Sequence, residues 1–234
     1  GYQMTDDEQE ADVIVINTCC FIHDAKEESI QTILEMAQYK EEGRLKALIV
    51  TGCLAQRYQQ EILDEIPEVD AVLGTTAYTE IVKTIGEALE GNGHVRTDDL
   101  DALPLTDPHR IVTTGGHYAY LKIAEGCDKH CTYCIIPKLR GNFRSVPMER
   151  LLKEAEDLAD QGVKELILVA QETTLYGKDL YGEKSLHHLL RELCRIDGIR
   201  WIRILYCYPE EIDDNLIQVM KEEKKICNYL DLPI

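Results

Sequence analysis

The sequence is short of several things. Its 234 residues contain no run of 18 apolar residues, so no segment reads as a membrane span. The first 20 residues carry Asp6, Asp7, Glu8, Glu10 and Asp12 but no Lys or Arg, the reverse of a secretory or transit leader, which points to the cytoplasm. There is no Walker-type phosphate loop and no GxGxxG after a strand, so neither of those phosphate cradles is available. Trp (1) and Phe (2) are scarce beside 12 Tyr. Basic residues are scarce too: 25 Lys and Arg face 43 Asp and Glu, for a net charge of -18. The deficit is concentrated in residues 1–95, with 19 acidic and 6 basic side chains. Such a surface argues against direct nucleic-acid binding driven by phosphates and suits a basic partner. Solubility alone is the plainer account of it.

Cysteine, by contrast, is abundant. The nine are Cys19, Cys20, Cys53, Cys127, Cys131, Cys134, Cys194, Cys207 and Cys227. An odd count in a long chain without an export signal argues against a disulfide scaffold and for metal, cluster or catalytic chemistry.

The length suits two medium domains. Residues 13–17 (VIVIN), 47–51 and 71–73 read as short buried strands, and helical spacing follows each of them. Asp24 with Glu27 predicts a capping box for the first helix. A second helix is expected over 56–65, stopped by Pro67, and a third over 78–89. The alternation predicts a small parallel α/β domain over 1–95, flavodoxin- or Rossmann-like, whose first strand is expected to lie upstream. Residues 96–117, with Pro104, Pro108, Gly115 and Gly116, read as a linker. From 118 to 234 the alternation resumes. Strands are expected at 119–124, 165–170, 202–206 and 229–234, with helices opened by Pro147 and near 186–196 and 215–221. Four βα repeats in this order suggest the first part of a βα barrel, with its remainder expected downstream.

The most specific feature is Cys127-Asp-Lys-His-Cys131-Thr-Tyr-Cys134, a C-x3-C-x2-C loop directly after a strand. Three thiolates can hold three irons of a cubane and leave the fourth open. A structural zinc site wants four closed ligands, and His130, adjoining Cys131, is a strained candidate for the fourth. The loop resembles that of the radical S-adenosylmethionine superfamily. The resemblance implies a 4Fe-4S cluster on Cys127, Cys131 and Cys134, with S-adenosylmethionine bound at the open iron and cleaved to a 5′-deoxyadenosyl radical. It also implies that the backbone of Tyr133, the aromatic residue before the third cysteine, lies near the adenine.

Upstream, Asn17-Thr18-Cys19 and Gly52-Cys53-Leu54-Ala55-Gln56 both end strands of the first sheet, where ligands of open α/β sheets bind. Each thiol is also readable as a small buried hydrophobe. With the cysteine loop, these motifs resemble the methylthiotransferase family. That resemblance implies a second 4Fe-4S cluster with Cys19 and Cys53 as two of three ligands, the remaining one expected upstream of Gly1. Cys20 stands where the family pattern expects Gly; an inert neighbour is the simpler reading, because adjacent side chains point apart.

The stretch Ala170-Gln171-Glu172-Thr173-Thr174-Leu175-Tyr176-Gly177-Lys178-Asp179 is similar to the branch of the family that modifies a ribosomal protein, as are Tyr206-Cys207-Tyr208-Pro209 and Tyr229-Leu230-Asp231-Leu232-Pro233. The implied reaction adds a methylthio group to the β-carbon of an aspartate in small-subunit ribosomal protein twelve. It uses two S-adenosylmethionine molecules, an external electron donor and a sulfur source. The basic protein, or a ribosome or assembly intermediate, is the implied partner. Gln171, Glu172 and Thr173, at the C-terminal end of a barrel strand, are candidate cofactor or substrate contacts, with Thr174 beside them. Arg140 is a candidate for the cofactor carboxylate, with Arg144 nearby; a solvated loop is the alternative. Cys194 and Cys207 read as core, and His187-His188 as surface. Competing readings are a transfer-RNA adenosine methylthiotransferase, a non-catalytic iron–sulfur electron carrier and a zinc-stabilised interaction module.

Overall fold

A computed structural model describes residues 1–102, 110 and 112–232. Pro104 and Pro108 of the expected linker, and Pro233 and Ile234 of the expected last strand, lie outside the described residues. The chain divides into two compact units, Gly1–Ala102 with Thr132–Leu139, and Leu103–Cys131 with Arg140–Ile234.

The first unit runs β1 (Val13–Thr18), α1 (His23–Ala37), α2 (Tyr39–Glu42), β2 (Ala47–Gly52), α3 (Cys53–Tyr58), α4 (Gln60–Glu65), β3 (Ala71–Leu73), α5 (Ile81–Leu89) and β4 (Val95–Arg96). The four strands are parallel, in the order β1-β2-β3-β4. β2 is covered on both faces. Leu48 and Val50 pack with Ile33, Leu54 and Ile62 on one side, and Ala47 and Ile49 with Ile85 and Ala88 on the other. That double burial is why β2 reads as a continuous apolar run rather than an alternating one.

Three expectations need correction. β4 begins inside the first domain and extends into the segment read as linker; two residues are too few to show a period. The capping box is absent. Ile22 is the N-cap of α1 with no side-chain cap, and Asp24 lies in the first turn, favourable to the helix dipole only through its charge. The helix expected over 56–65 is broken at Gln59, whose φ of 42° separates α3 from α4.

The second unit contains β5 (Tyr118–Lys122), β6 (Ala124–Glu125), the last residue of α6 (Ile136–Arg140), β7 (Arg144–Ser145), α7 (Met148–Asp160), β8 (Glu165–Val169), α8 (Lys178–Tyr181), α9 (Leu186–Cys194), β9 (Trp201–Ile204), α10 (Asp214–Glu222) and β10 (Ile226–Leu230). β5, β8, β9 and β10 form a parallel sheet in chain order, each strand one step along from the last. This is the winding of a βα barrel, laid out as four strands. Alternate residues Leu121, Leu166, Leu168, Ile202 and Ile204 pack with Leu151, Leu158, Leu189 and Leu193 of α7 and α9. Burying each such side chain contributes ~1.5–3 kcal/mol. The strand expected over 119–124 is two strands. β6 leaves the parallel sheet at Ile123 and pairs antiparallel with β7, bringing the cysteine loop back on itself. The last strand is β10 at 226–230, earlier than the expected 229–234; its pairing with β9 sets these bounds, Ile226 lying opposite Ile202 and Leu230 opposite Ile204 with a register shift between them.

Candidate functional site

β5 and β6 deliver Glu125-Gly126-Cys127 at the C-terminal edge of the second unit's sheet. Gly126 has φ +81°, and a Cβ there would lie 2.0 Å from the Asn142 carbonyl oxygen, so no side chain fits. Its N–H donates to Gln171 Oε1 at 2.8 Å. Cys127 N–H donates to the Gly141 carbonyl at 3.2 Å, and Phe143 N–H to Asp128 Oδ1 at 2.9 Å. The start of the loop is therefore stitched to the segment that follows it. Cys127 is buried, while Cys131 and Cys134 are half-buried. The Cys131 sulfur lies 3.5 Å from the Tyr208 hydroxyl. Tyr133 is 85% exposed.

The residues after β8 divide their roles. Gln171 is spent on the Gly126 turn. Thr173 is fully buried, and its hydroxyl reaches the carbonyls of Leu205 (2.8 Å) and Tyr206 (3.1 Å) at the end of β9. Glu172 is 1% exposed; its Oε1 accepts from the N–H and the hydroxyl of Thr174, and Oε2 has no hydrogen-bond partner. Burial pushes this carboxyl above its ordinary range. Tyr176 and Asp179 act as pins. Tyr176 Oη donates to the Val146 carbonyl at 2.8 Å, and Asp179 accepts from the N–H (2.8 Å) and hydroxyl (2.6 Å) of Ser145. These two pins fix β7, the strand that closes the cysteine loop.

Glu125 is buried beside Lys122 and Arg140, whose guanidinium is 3.5 Å away. Burial pushes its carboxyl up, but the two cations outweigh it and hold the group below the usual carboxylate range. Arg140 thus already faces a carboxylate. Arg144 is buried, with its guanidinium directed at the carbonyls of Asn142 and Arg140. Cys194 and Cys207 lie in the core, where burial raises both thiols, Cys194 to about 11.

In the first unit, Cys19 and Cys53 follow the neighbouring strands β1 and β2. Gly52 has φ +95°, and a Cβ would lie 2.4 Å from the Thr18 carbonyl oxygen and 2.6 Å from Asn17 Oδ1. Only glycine lets the two thiol-bearing turns lie so close. Thr18 Oγ1 donates to the Thr51 carbonyl at 2.6 Å. Ser29 of α1 holds the Cys19 backbone, with its hydroxyl 3.0 Å from both the N–H and the carbonyl. Gln56 Oε1 accepts from Thr75 N–H at 3.0 Å, bracing the turn after β3. The motif Gly52-Cys53-Leu54-Ala55-Gln56 marked Gly52 and Gln56 but not their bracing roles, and Ser29, on a helix ten residues from Cys19, carried no signal. Cys19 is exposed. Cys20 is 3% exposed within the core, with its thiol donating to the Cys53 carbonyl at 3.2 Å.

All nine cysteines are free thiols. Soft thiolates on half-buried turns are the donor set that iron–sulfur clusters take. Among the described residues, the one trio with ligand atoms gathered closely enough for a single ion is His23, Asp24 and Glu27, all exposed on α1. No helix among the described residues is long and apolar enough to cross a membrane.

Residues 121–234 match the Radical SAM superfamily, and residues 1–74 match the Uncharacterized protein family UPF0004. The fold agrees. Solved structures of the radical S-adenosylmethionine methyltransferase TsrM from Kitasatospora setae superpose with a TM-score of 0.63 at 14% identity, covering 94% of this chain and 47% of that one. The cobalamin-dependent radical enzyme OxsB superposes with a TM-score of 0.54 at 14% identity, covering 97% and 36%. The second unit is a radical S-adenosylmethionine domain. Among curated relatives, the "Ribosomal protein uS12 methylthiotransferase RimO" of Lachnoclostridium phytofermentans is 67% identical over all 234 residues, and that of Clostridium perfringens is 53% identical. The chain spans 53% of the length of each. Along its whole length the chain is similar to proteins of that name, and the two family matches fit them.

Proposed function

We propose that this chain carries the cluster-binding apparatus of an enzyme that places a methylthio group on the β-carbon of an aspartate in ribosomal protein uS12. The supporting observation is full-chain identity to proteins of that name together with the three thiols of the cysteine loop. Cys127, Cys131 and Cys134 would hold the radical-generating 4Fe-4S cluster, and Cys19 and Cys53 would supply two ligands of a second one. When bound, the cluster and S-adenosylmethionine supply a radical able to remove hydrogen from a carbon that no side-chain base can deprotonate.

The chain's own residues hold and orient. Gln171 and Gly126 set the direction in which Cys127 leaves its strand. The Tyr176 and Asp179 pins keep the returning segment in place. Glu172 presents an unpartnered Oε2 in a dry environment, suited to an ammonium or hydroxyl donor of the cofactor or substrate. Arg140 and the backbone at Tyr133 complete the cofactor contacts. Thr173 contributes through the β9 turn that it ties down. An acidic chain suits a basic ribosomal protein as partner in the cytoplasm, with electron donor and sulfur source supplied from outside.

The test offers uS12 and transfer RNA to the reconstituted protein with S-adenosylmethionine, sulfide and a reductant, and analyses both by mass spectrometry. Methylthiolated uS12 beside unmodified RNA is expected. Modified RNA beside unmodified uS12 would overturn the substrate, and intact S-adenosylmethionine in the presence of a reduced cluster would reduce the chain to an electron carrier.

A further inference from the structure

The cysteine-loop sulfur of Cys131 faces one aromatic hydroxyl. Tyr208 Oη lies 3.5 Å from it, and Lys129, two residues before Cys131, sits over the Tyr208 ring with its ammonium 4.5 Å from the centroid. Neither group is loose. Glu211 bonds Lys129 at 2.5 Å and Lys184 at 2.8 Å, so the Lys129 ammonium is tethered beside the ring. Tyr208 is fixed from below, where its N–H donates to Thr174 Oγ1 at 3.2 Å, and Thr174 is itself bound by buried Glu172. Phenol and cation are thus held beside the sulfur by residues that follow β8 and β9.

We propose that Tyr208, backed by Lys129, is a positioning residue that tunes the cluster held through Cys131, its hydroxyl donating to the ligating sulfur. This rests on the reading of Cys127, Cys131 and Cys134 as cluster ligands. Reduction adds an electron to the cluster and therefore negative charge to its ligands. A hydrogen bond to the sulfur and a fixed cation behind the donor both stabilise the reduced state more than the oxidised one, raising the potential. The electron comes from the external donor, and no covalent bond changes. A tyrosine that only filled space would leave the potential unmoved when its hydroxyl is removed.

The experiment reconstitutes the chain anaerobically with iron and sulfide, beside Tyr208→Phe, Lys129→Gln, Lys129→Arg and Cys131→Ala. A redox titration then follows the paramagnetic signal that changes on adding S-adenosylmethionine. Tyr208→Phe keeps the ring and is expected to load wild-type iron but titrate at more negative potential. At the wild-type midpoint its reduced-to-oxidised ratio should fall about tenfold, or about 59 mV for one electron. Lys129→Gln should move the same way by less, and Lys129→Arg should restore the wild-type value. Tyr208→Phe with full iron and an unmoved midpoint overturns the proposal while leaving the cluster reading intact. Should Tyr208→Phe lose its fold by circular dichroism, Lys129→Gln decides on the same titration. Iron and signal that persist undiminished in Cys131→Ala overturn the cluster reading, and the proposal with it.

Discussion

Replacing Gly52 with alanine tests how the first unit brings Cys19 and Cys53 to one edge. Gly52 has φ 95° and ψ -157°, a region open only to glycine. Holding alanine there costs ~1–3 kcal/mol. The new Cβ would also lie 2.4 Å from the Thr18 carbonyl oxygen and 2.8 Å from the Thr18 nitrogen, backbone atoms that no rotamer change can move aside. β1 and β2 must part at that end, losing the 2.6 Å bond from Thr18 Oγ1 to the Thr51 carbonyl, worth ~0.5–1.5 kcal/mol. The expected loss is ~2–4 kcal/mol, local to the first unit. Hydrogen exchange at the amides of Ile49 and Val50 reads that unit alone, and their protection should fall by the corresponding factor. Gly86, in α5 with open space around its Cβ position, supplies the opposite control: Gly86→Ala should stabilise by ~0.5–1 kcal/mol. If Gly52→Ala cost less than ~0.5 kcal/mol, the loop apposition would not depend on glycine and the reasoning would be wrong.

Tyr176→Phe removes a buried hydroxyl from the Val146 carbonyl, so urea unfolding of the second unit, read by Trp201 fluorescence, should lose ~1–2 kcal/mol; no loss would mean that this pin is idle. Glu172 ionises above its ordinary range because it is buried, so the folded chain favours its proton and loses stability as pH rises from the ordinary carboxylate range through the folded value. Glu172→Gln should therefore gain on wild type in thermal melts as pH rises from 4 to 8, and a flat difference would contradict this. Glu211 has the opposite sign: hydrogen bonds from Lys129 and Lys184 hold it down to about 2. Its contribution, ~1–2 kcal/mol after allowance for partial exposure, should be complete above the ordinary value of 4.5 and fade as pH falls toward about 2. The stability gap to Glu211→Gln should close over that interval, and a gap that persists at its acid end would refute the pairing.

Much of this architecture was readable in advance because it depends on local pattern. β2 and β8 announce themselves as apolar runs, and three thiols within eight residues can be seen without coordinates. What could not be read depends on pairing through space. Asp179 meets Ser145, 34 residues away, and Tyr176 meets Val146, 30 away, so the 170–179 stretch looked like a site when much of it is a brace. Thr173 likewise turns inward to the Leu205 and Tyr206 carbonyls. Asp24 and Glu27 carry a capping-box spacing, but the chain enters α1 two residues earlier, through an extended Ile22. Gln59 breaks its helix with a positive φ that nothing in its side chain announces.

The most direct test of the radical chemistry is the formation of 5′-deoxyadenosine from S-adenosylmethionine by the anaerobically reconstituted chain under a strong reductant, beside Cys131→Ala. Product from the wild type that disappears in the variant is the predicted result. Equal product from both, or none from a wild type carrying a reduced cluster, would contradict the assignment of the cysteine loop.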